Sequence, residues 1–294
     1  MPAEPPQESH PSHSHRIAVL GAGVMGVGIT ALALGHGLPV LLIDTDRDKL
    51  DRAGGAIDHE LRIAQLMGTL PADVRTGPLE TATTTGGVGG VTAVIEAVTE
   101  DTGLKAKALA EVSARVLPGT PLISNTSSIP IDELAGCAER PEDVIGTHFM
   151  NPPYLIPTVE VIQGARTAAA TMAAAGELLT ALDRRQVVVR DAPGFVTSRV
   201  LHPMINDAAR VVQEGTATAE AVDALMEGCL GHPTGPLRTA DLIGIDNLVD
   251  SLRVLHQHTG DDGCRPCDLL LDKVRRGELG RKSGRGFYDY QEEN

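Results

Sequence analysis

Short apolar runs recur along the first two thirds of the chain, separated by glycine-rich or amphipathic stretches. Strands of a parallel sheet are buried on both faces and form such near-continuous runs of branched residues. The runs predict strands at residues 17–20, 40–43, 91–98, 121–123, 144–147, 158–162 and 186–189. Residues 45–70 and 167–182 have the spacing of helices, and the threonine- and glycine-rich residues 81–90 predict a loop. This alternation predicts an α/β fold with a mostly parallel sheet covered on both faces.

The last third of the chain has a different pattern. After Asp191, apolar residues recur at helical spacing in three segments, residues 193–215, 218–231 and 236–258. A strand-like run returns only at residues 286–288. We therefore expect an α/β domain over residues 16–190 and an all-helical domain over residues 191–294.

The beginning of the chain is rich in proline, serine and histidine. Such a segment cannot bury enough apolar surface to fold, so we expect residues 1–15 to be a disordered leader. His10, His13 and His15 within it would give incidental metal affinity at most.

Charge and composition exclude several classes of function. The formal net charge of -14 argues against a general nucleic-acid surface, because phosphate binding needs a basic stripe. Aromatic residues make up 2% of the chain, so stacking platforms for bases are missing too. Four cysteines are too few for a disulfide framework. Cys264 and Cys267 form a CxxC without a second pair nearby, which favours a loop with two free thiols over a zinc or redox site.

Residues 17–43 form the one stretch that could be mistaken for a membrane span. They carry no Asp, Glu, Lys or Arg and are long enough to cross a bilayer. Six glycines and Pro39 break the stretch into strand, turn, helix and strand, which indicates protein core. The N-terminus has no basic segment followed by an apolar one, so no signal peptide is predicted. We expect a soluble, cytoplasmic protein.

A glycine motif lies inside that stretch. Gly21, Gly23 and Gly26 follow the first strand in G-x-G-x-x-G register and open the next helix. In a dinucleotide site the first glycine makes the tight turn, the second lets a pyrophosphate approach the backbone, and the third lets helix and strand pack closely. Asp44 ends the second strand, where its carboxylate would bind a ribose and disfavour a 2′-phosphate. The sequence therefore predicts a Rossmann-type domain that binds NAD in preference to NADP, followed by an all-helical C-terminal domain.

Seven motifs, in order from Arg16 to Tyr290, together resemble the 3-hydroxyacyl-CoA dehydrogenase family: GAGVMG, SNTSS, THFMNP, TVEVI, DAPGFVTSR, GHPTGPL and GRKSGRGFYDY. Several motifs at family-like spacing are more specific than the nucleotide motif alone. The resemblance implies a dinucleotide-binding domain followed by a helical domain that dimerises, with the substrate between them. It also implies an NAD-dependent oxidoreductase that interconverts 3-hydroxyacyl and 3-oxoacyl thioesters in fatty acid metabolism.

Carried over by position, the resemblance makes His148 the catalytic histidine, Glu160 its partner and Ser127 the substrate-binding serine. It places Ser198 among the catalytic residues, where the family has asparagine. Together with the glycine motif, it implies a cofactor site that comprises Gly21, Gly23, Val24, Met25, Gly26, Asp44, Glu100, Lys105, Asn125, Ser127, Asn151 and Lys282.

The chemistry of these residues fits the implied reaction. Oxidising a secondary alcohol requires removal of the hydroxyl proton as hydride leaves the carbon, and a neutral imidazole suits this task near pH 7. His148 ends one predicted strand and Glu160 lies in the next, so both can face one cleft. A carboxylate on the second ring nitrogen fixes the tautomer and stabilises the imidazolium. Ser127 follows a strand end, where ligands of open α/β sheets bind, and can donate to the substrate oxygen.

Two features depart from the family pattern. Ser198 is shorter than asparagine and would reach a thioester carbonyl through water. Family members that bind CoA have a lysine-rich segment after the second strand, whereas residues 53–74 offer only Arg62. The phosphopantetheine arm of an acyl carrier protein has a single phosphodiester, so it would lose less from this change. The alternative is therefore the same chemistry on a carrier-bound hydroxyacyl group, as in polyketide precursor synthesis.

Two further hypotheses stay open. A 2-methyl-3-hydroxyacid dehydrogenase shares the glycine motif but needs a catalytic lysine where this chain has Ser198, Arg199 and Asn206. A non-catalytic NAD-binding protein is favoured by Ser198 and disfavoured by the presence of His148 and Glu160.

We also expect a homodimer built from the helical domain. The apolar positions of residues 241–255 cover more than one helix face, which is more than a small domain needs for its own core. They are Leu242, Ile243, Ile245, Leu248, Val249, Leu252, Val254 and Leu255.

Overall fold

The computed structural model describes residues 15–71 and 73–290. Eight strands form one sheet: β1 (Ile17–Leu20), β2 (Val40–Ile43), β3 (Leu79–Ala82), β4 (Ala93–Glu96), β5 (Leu122–Ser124), β6 (Val144–His148), β7 (Thr158–Gln163) and β8 (Arg185–Arg190). Their order is β3-β2-β1-β4-β5-β6-β7-β8. All neighbours pair in parallel except β6 and β7, which are antiparallel. The mostly parallel sheet is therefore confirmed.

The helices of the described residues fall into two groups. Five alternate with the strands: α1 (Val24–Gly35), α2 (Arg47–Leu66), α3 (Thr102–Ser113), α4 (Ile131–Ala135) and α5 (Ala169–Ala181). Five follow the last strand: α6 (Thr197–Gln213), α7 (Ala219–Leu230), α8 (Pro236–Ile243), α9 (Ile245–Thr259) and α10 (Asp268–Arg275). This confirms the Rossmann-type sheet followed by a helical C-terminal part.

The sheet is covered on both faces because successive strand residues point to opposite sides. Ile17 and Val19 of β1 pack toward α1, α2 and α5, whereas Ala18 and Leu20 pack toward α3 and α4. Helix α1 buries most of its residues in this core, so the uncharged stretch of residues 17–43 is core. No helix among residues 15–71 and 73–290 is long and apolar enough to cross a membrane.

Strand β1 lies between β2 and β4, so the chain extends the sheet first in one direction and then in the other. At such a switch point the loops leave a crevice at the carboxyl ends of the strands, where ligands of open sheets bind. The loops after β1, β2, β4, β5 and β6 all leave the sheet at this edge, which we call the carboxyl edge.

The loop predicted at residues 81–90 is wrong in part, and strand β3 has no counterpart among the predicted strands. The structure instead has β3 ending at Ala82 and a 3-10 helix over Thr85–Gly90. The sequence of β3, Leu-Glu-Thr-Ala, is half-exposed at the sheet edge and therefore lacks the apolar run that identifies the central strands.

The helical part has a core of its own, formed mainly by α6, α8, α9 and α10. The buried Asp241 carboxylate holds the C-terminal segment by accepting from the backbone N–H groups of Phe287 and Tyr288, each at 2.9 Å. The strand-like run at residues 286–288 is not a strand, and only isolated bridges flank it. Its backbone N–H groups donate to the Asp241 carboxylate in place of the carbonyl groups of a neighbouring strand.

The predicted leader lies outside the described residues except for His15, whose Nδ1 is 3.3 Å from Thr92 Oγ1. Cys264 and Cys267 are buried free thiols. Burial raises the pKa of both thiols, so they stay protonated and unreactive at neutral pH.

Candidate active site

The predicted histidine and glutamate meet at the carboxyl edge of the sheet. His148 is the last residue of β6, and the antiparallel register places it directly opposite Glu160 on β7. Both residues are 6% exposed. The imidazole Nδ1 lies 3.2 Å from Glu160 Oε2, within hydrogen-bond distance. Directly opposite residues of paired strands point to the same face, so the register itself produces this contact.

Hydrogen-bond donors surround the Glu160 carboxylate. Its Oε1 accepts from the backbone N–H of Val196 at 2.7 Å, and its Oε2 accepts from the Thr197 hydroxyl at 2.7 Å. Burial alone would raise the pKa of the Glu160 carboxyl, but the hydrogen bonds from His148, Thr197 and the Val196 amide lower it below its usual value. The group is therefore ionised at neutral pH.

The start of α6 contributes a residue that the sequence analysis missed. Besides its bond to Glu160, the Thr197 Oγ1 lies 3.1 Å from His148 Nδ1. Thr197 stands in the DAPGFVTSR motif next to Ser198, so the motif pointed to the segment. Its contact with β7 depends on how α6 packs against the sheet, which has no local sequence signal.

Ser198 and His202 follow on the same helix, one turn apart, and both are buried. His202 Nδ1 lies 2.7 Å from Ser251 Oγ on α9. Burial, together with the nearby charge of His148, lowers the pKa of His202 to about 4, so this imidazole is neutral at pH 7. His202 has no sequence signal of its own, because a single histidine in an apolar helix pattern does not distinguish a core position from a site.

A second buried charge cluster orders the loop that carries Ser127. Lys105 is 1% exposed, and its Nζ lies 2.8 Å from Glu96 Oε1 and 3.3 Å from Glu100 Oε2. Glu100 Oε1 in turn accepts from the Thr126 hydroxyl at 2.6 Å and from the Ser127 N–H at 2.8 Å. Burial would lower the pKa of the Lys105 ammonium, but the charges of Glu96 and Glu100 raise it. Lys105 thus holds Glu100, and Glu100 holds the Ser127 loop.

The other predicted cofactor residues have varied surroundings. Asn125 is buried, and its Oδ1 accepts from the Phe149 N–H at 2.9 Å, which ties the ends of β5 and β6 together. Asn151 is exposed in the loop after β6. Lys282 forms an ion pair of 2.6 Å with Asp246 at the start of α9. Asn125 and Asn151 therefore lie on segments of the carboxyl edge, whereas Lys282 contacts the helical part.

The glycine loop between β1 and α1 has the backbone geometry of a dinucleotide cradle. Gly21 has a φ of 101°, which disfavours other residues. A Cβ on Gly26 would lie 1.8 Å from the Gly21 carbonyl oxygen, whereas a Cβ on Gly23 would meet nothing within 4 Å. The loop is fixed from the next strand, since the Ala22 N–H donates to Asp44 Oδ2 at 2.8 Å.

These features fit a bound NAD. Gly23 and Val24 are exposed, beside the space that a Cβ on Gly23 would enter, and Met25 is half-buried next to them. No acidic residue lies in the first turn of α1, so its N-terminal N–H groups suit a phosphate. Asp44 adds a carboxylate at the end of β2, where the ribose of a dinucleotide binds.

Comparison with protein families gives two matches that together span nearly the whole chain. Residues 16–192 match the 3-hydroxyacyl-CoA dehydrogenase NAD binding domain, and residues 194–290 match the 3-hydroxyacyl-CoA dehydrogenase C-terminal domain.

Individual relatives agree with the family matches. The chain is 40% identical over 277 residues to a probable 3-hydroxybutyryl-CoA dehydrogenase of Deinococcus radiodurans, which covers 94% of this chain and 100% of the relative. Among solved structures, FadB2 of M. tuberculosis is 36% identical with a TM-score of 0.89, covering 94% of this chain and 99% of that one. The (S)-3-hydroxybutyryl-CoA dehydrogenase of Ralstonia eutropha is 34% identical with a TM-score of 0.82, at the same coverage of 94% and 99%.

The glycine loop allows stability and cofactor binding to be separated. Gly26→Ala is expected to lower Tm by about 5–10 °C, because its Cβ would overlap the Gly21 carbonyl oxygen. Gly23→Ala is the matched control: its φ of -79° tolerates alanine and its Cβ position is open. We expect this variant to keep the wild-type Tm but to lose NADH affinity, since the methyl group occupies the space for the pyrophosphate. Thermal unfolding and NADH fluorescence titration measure the two effects, and equal Tm values for both variants would contradict the assignment.

Proposed function

The chain belongs to the 3-hydroxyacyl-CoA dehydrogenase family, and from this membership we propose that it interconverts a short 3-hydroxyacyl-CoA and its 3-oxo form with His148 as general base and Glu160 as its partner. The family activity is that of an NAD-dependent oxidoreductase acting on a secondary alcohol. The observation that carries the proposal is the contact of 3.2 Å between His148 Nδ1 and Glu160 Oε2. The names of the relatives favour 3-hydroxybutyryl-CoA as the substrate.

The dyad geometry suits proton transfer at the substrate oxygen. Glu160 occupies Nδ1, which leaves Nε2 to accept the proton of the 3-hydroxyl group. The carboxylate then stabilises the imidazolium, and in the reverse direction Nε2 returns the proton to the carbonyl oxygen. NAD, when bound, supplies the hydride acceptor. Because Glu160 is already held by donors of α6, little reorganisation accompanies the change in charge.

Two serines complete the proposed catalytic group. Ser127 would donate to the substrate oxygen, because its loop is held by Glu100 at the same edge as the dyad. Ser198 is 2% exposed and directly follows Thr197, so we propose that it polarises the thioester carbonyl through a water molecule.

The proposed cofactor site has the glycine loop at its centre. The loop of Gly21, Gly23 and Gly26 would hold the pyrophosphate, and Asp44 the adenosine ribose. Further proposed contacts are Val24, Met25, Glu100, Asn125, Ser127, Asn151 and Lys282. Lys105 would act through Glu100, since its ammonium is enclosed by carboxylates.

A carrier-bound substrate is the second candidate. The observation that favours it is the scarcity of positive charge beyond the first turns of α2, since residues 53–74 contain Arg62 as the single lysine or arginine. The 3′-phosphate of CoA would gain little there, whereas a phosphopantetheine arm lacks that group. The 3-hydroxybutyryl-CoA dehydrogenases among the relatives favour CoA by their names, so we rank the carrier second.

We also propose that the domains meet near Arg190, where β8 ends. We further propose that the chain is cytoplasmic, because its four thiols are free, as in a reducing compartment.

The proposed homodimer cannot rest on the number of apolar positions in residues 241–255. Five of those positions are buried within the chain's own fold: Ile245, Leu248, Val249, Leu252 and Leu255. Support comes from Leu225 and Leu230 on α7, which are 59% and 66% exposed, and from Leu242 on α8, a position of the original count that is 46% exposed.

The proposed reaction is tested by following NADH absorbance with acetoacetyl groups presented on CoA and on a carrier protein. We expect turnover with acetoacetyl-CoA and NADH, and a much lower kcat/KM with NADPH, because Asp44 would repel its 2′-phosphate. Faster turnover of the carrier-bound group would replace the first candidate by the second. Tight NADH binding without turnover of any thioester would refute the proposed activity.

The dyad predicts a specific pattern of losses. His148→Ala should reduce kcat by at least about 10²–10⁴-fold while NADH affinity stays nearly unchanged. Glu160→Gln should also be costly, because it keeps the shape but removes the charge that stabilises the imidazolium. The double variant should resemble His148→Ala, since without the imidazole Glu160 has no group left to orient. Fully additive losses would mean that the two residues do not act together.

The dimer is tested by light scattering at micromolar concentration. We expect a dimer for the wild type and a monomer for the double variant Leu225→Arg, Leu230→Arg. Leu66→Arg is the matched control, because Leu66 is 82% exposed at the end of α2 in the sheet domain. A monomeric wild type, or equal dissociation of the control, would rule out this interface.

A further inference from the structure

The Thr197 hydroxyl lies between the two side chains of the proposed dyad. Its Oγ1 is 2.7 Å from Glu160 Oε2 and 3.1 Å from His148 Nδ1. The adjacent backbone also contacts the carboxylate, since the Thr197 N–H lies 3.4 Å from Glu160 Oε1. Thr197 therefore reaches both carboxylate oxygens and the imidazole from one position at the start of α6.

The direction of these hydrogen bonds follows from proton counting. A hydroxyl has one proton, and a carboxylate can only accept. The shorter contact is to Glu160, so the Thr197 proton is donated there as a charge-assisted bond. The lone pairs of Oγ1 then face His148 Nδ1, which must carry a hydrogen to make a favourable contact. Thr197 and Glu160 thus specify the same tautomer, with Nε2 unprotonated and free to act as a base.

We propose that Thr197 is a positioning residue of the active site, whose hydroxyl fixes the His148 tautomer and stabilises the Glu160 carboxylate. This inference rests on the proposed role of His148 as base. It goes beyond that role by assigning a third member to the dyad, supplied by the helical part of the chain.

Few other groups can take over this function. Among the described residues, the one ion-pair partner of Glu160 is His148. The Val196 N–H is committed to Oε1. The buried His202 of α6, on which the charge of His148 acts, is itself neutral at pH 7. The ring of Phe195, with its centroid 6.0 Å from that of His148, contributes no charge.

Loss of the Thr197 hydroxyl should therefore change the proton affinity of the His148–Glu160 dyad. With one donor fewer, the Glu160 carboxylate becomes more basic, and the protonated form of the pair is favoured. Oxidation of the alcohol needs an unprotonated Nε2. The acidic limb of its pH profile should consequently move to higher pH.

Thr197→Val tests this directly, because valine keeps the shape and removes the hydroxyl. We expect kcat to fall roughly ten- to a hundredfold, with NADH affinity and thioester KM changed less than about threefold. The pH at which kcat/KM for 3-hydroxybutyryl-CoA oxidation falls to half its maximum on the acidic side should rise by roughly half to one unit. Thr197→Ser should restore activity and the wild-type profile.

Thr147→Val is the matched control. Thr147 precedes His148 on β6, and its buried Oγ1 has no hydrogen-bond partner among the described residues. Removing this hydroxyl should leave kcat and the pH profile unchanged. Should Thr197→Val fail to fold, Thr197→Ala and Thr197→Ser provide the same comparison.

An unshifted or downward-shifted profile in Thr197→Val, or failure of Thr197→Ser to restore activity, would overturn the assignment. His148→Ala separates this failure from failure of the proposed function. If His148→Ala is inactive while Thr197→Val behaves like the wild type, only the role of Thr197 is lost. If His148→Ala retains activity, the dyad itself is wrong.

Discussion

The burial of the Glu160 carboxylate is the constraint on which the candidate site depends. A carboxylate removed from water is unfavourable unless donors replace the hydrogen bonds that it loses. Here the donors come from His148 at the end of β6 and from Val196 and Thr197 at the start of α6. Since Glu160 itself lies on β7, this one side chain joins two strands of the sheet to the first helix of the helical part.

The N-terminus of α6 makes this arrangement favourable. The first N–H groups of a helix have no partner within it, and the helix dipole favours negative charge there. Val196, the residue before α6, has no side chain that caps the helix. The Glu160 carboxylate on β7 caps it instead, by accepting from the N–H groups of Val196 and Thr197. The contacts that satisfy the helix backbone therefore also orient the carboxylate that holds His148. The same hydrogen bonds therefore stabilise the start of α6 and set the position of the proposed base.

Most of the fold could be predicted, because buried parallel strands are visible as apolar runs, whereas β3 is half-exposed at an edge and is not. His148 and Glu160 were predictable because the motifs that contain them resemble those of a known family, and their chemistry and places on neighbouring predicted strands agree with that assignment. The contacts of Thr197 were not, because they depend on how α6 docks against β7, which no local pattern encodes. Lys105 lies in the predicted site region, but its burial against Glu96 could not be deduced from spacing. The contacts of Thr197 and Lys105 both depend on packing between residues that are distant in the sequence.

Helix α6 connects the site to the rest of the helical part. Ser198, His202 and Asn206 recur at four-residue spacing, so they lie on one face, and all three are buried. His202 contacts α9, and Asn206 donates to backbone carbonyls of the loop before α10 at 3.0 Å and 2.8 Å. Pro203 lies inside α6 between Thr197 and Asn206 and removes one backbone hydrogen bond of the helix. The contacts of Asn206 therefore fix the second half of α6, whereas the hydrogen bonds of Val196 and Thr197 to Glu160 fix its start. The donors on which the Glu160 carboxylate depends are thus held at the junction with the sheet itself.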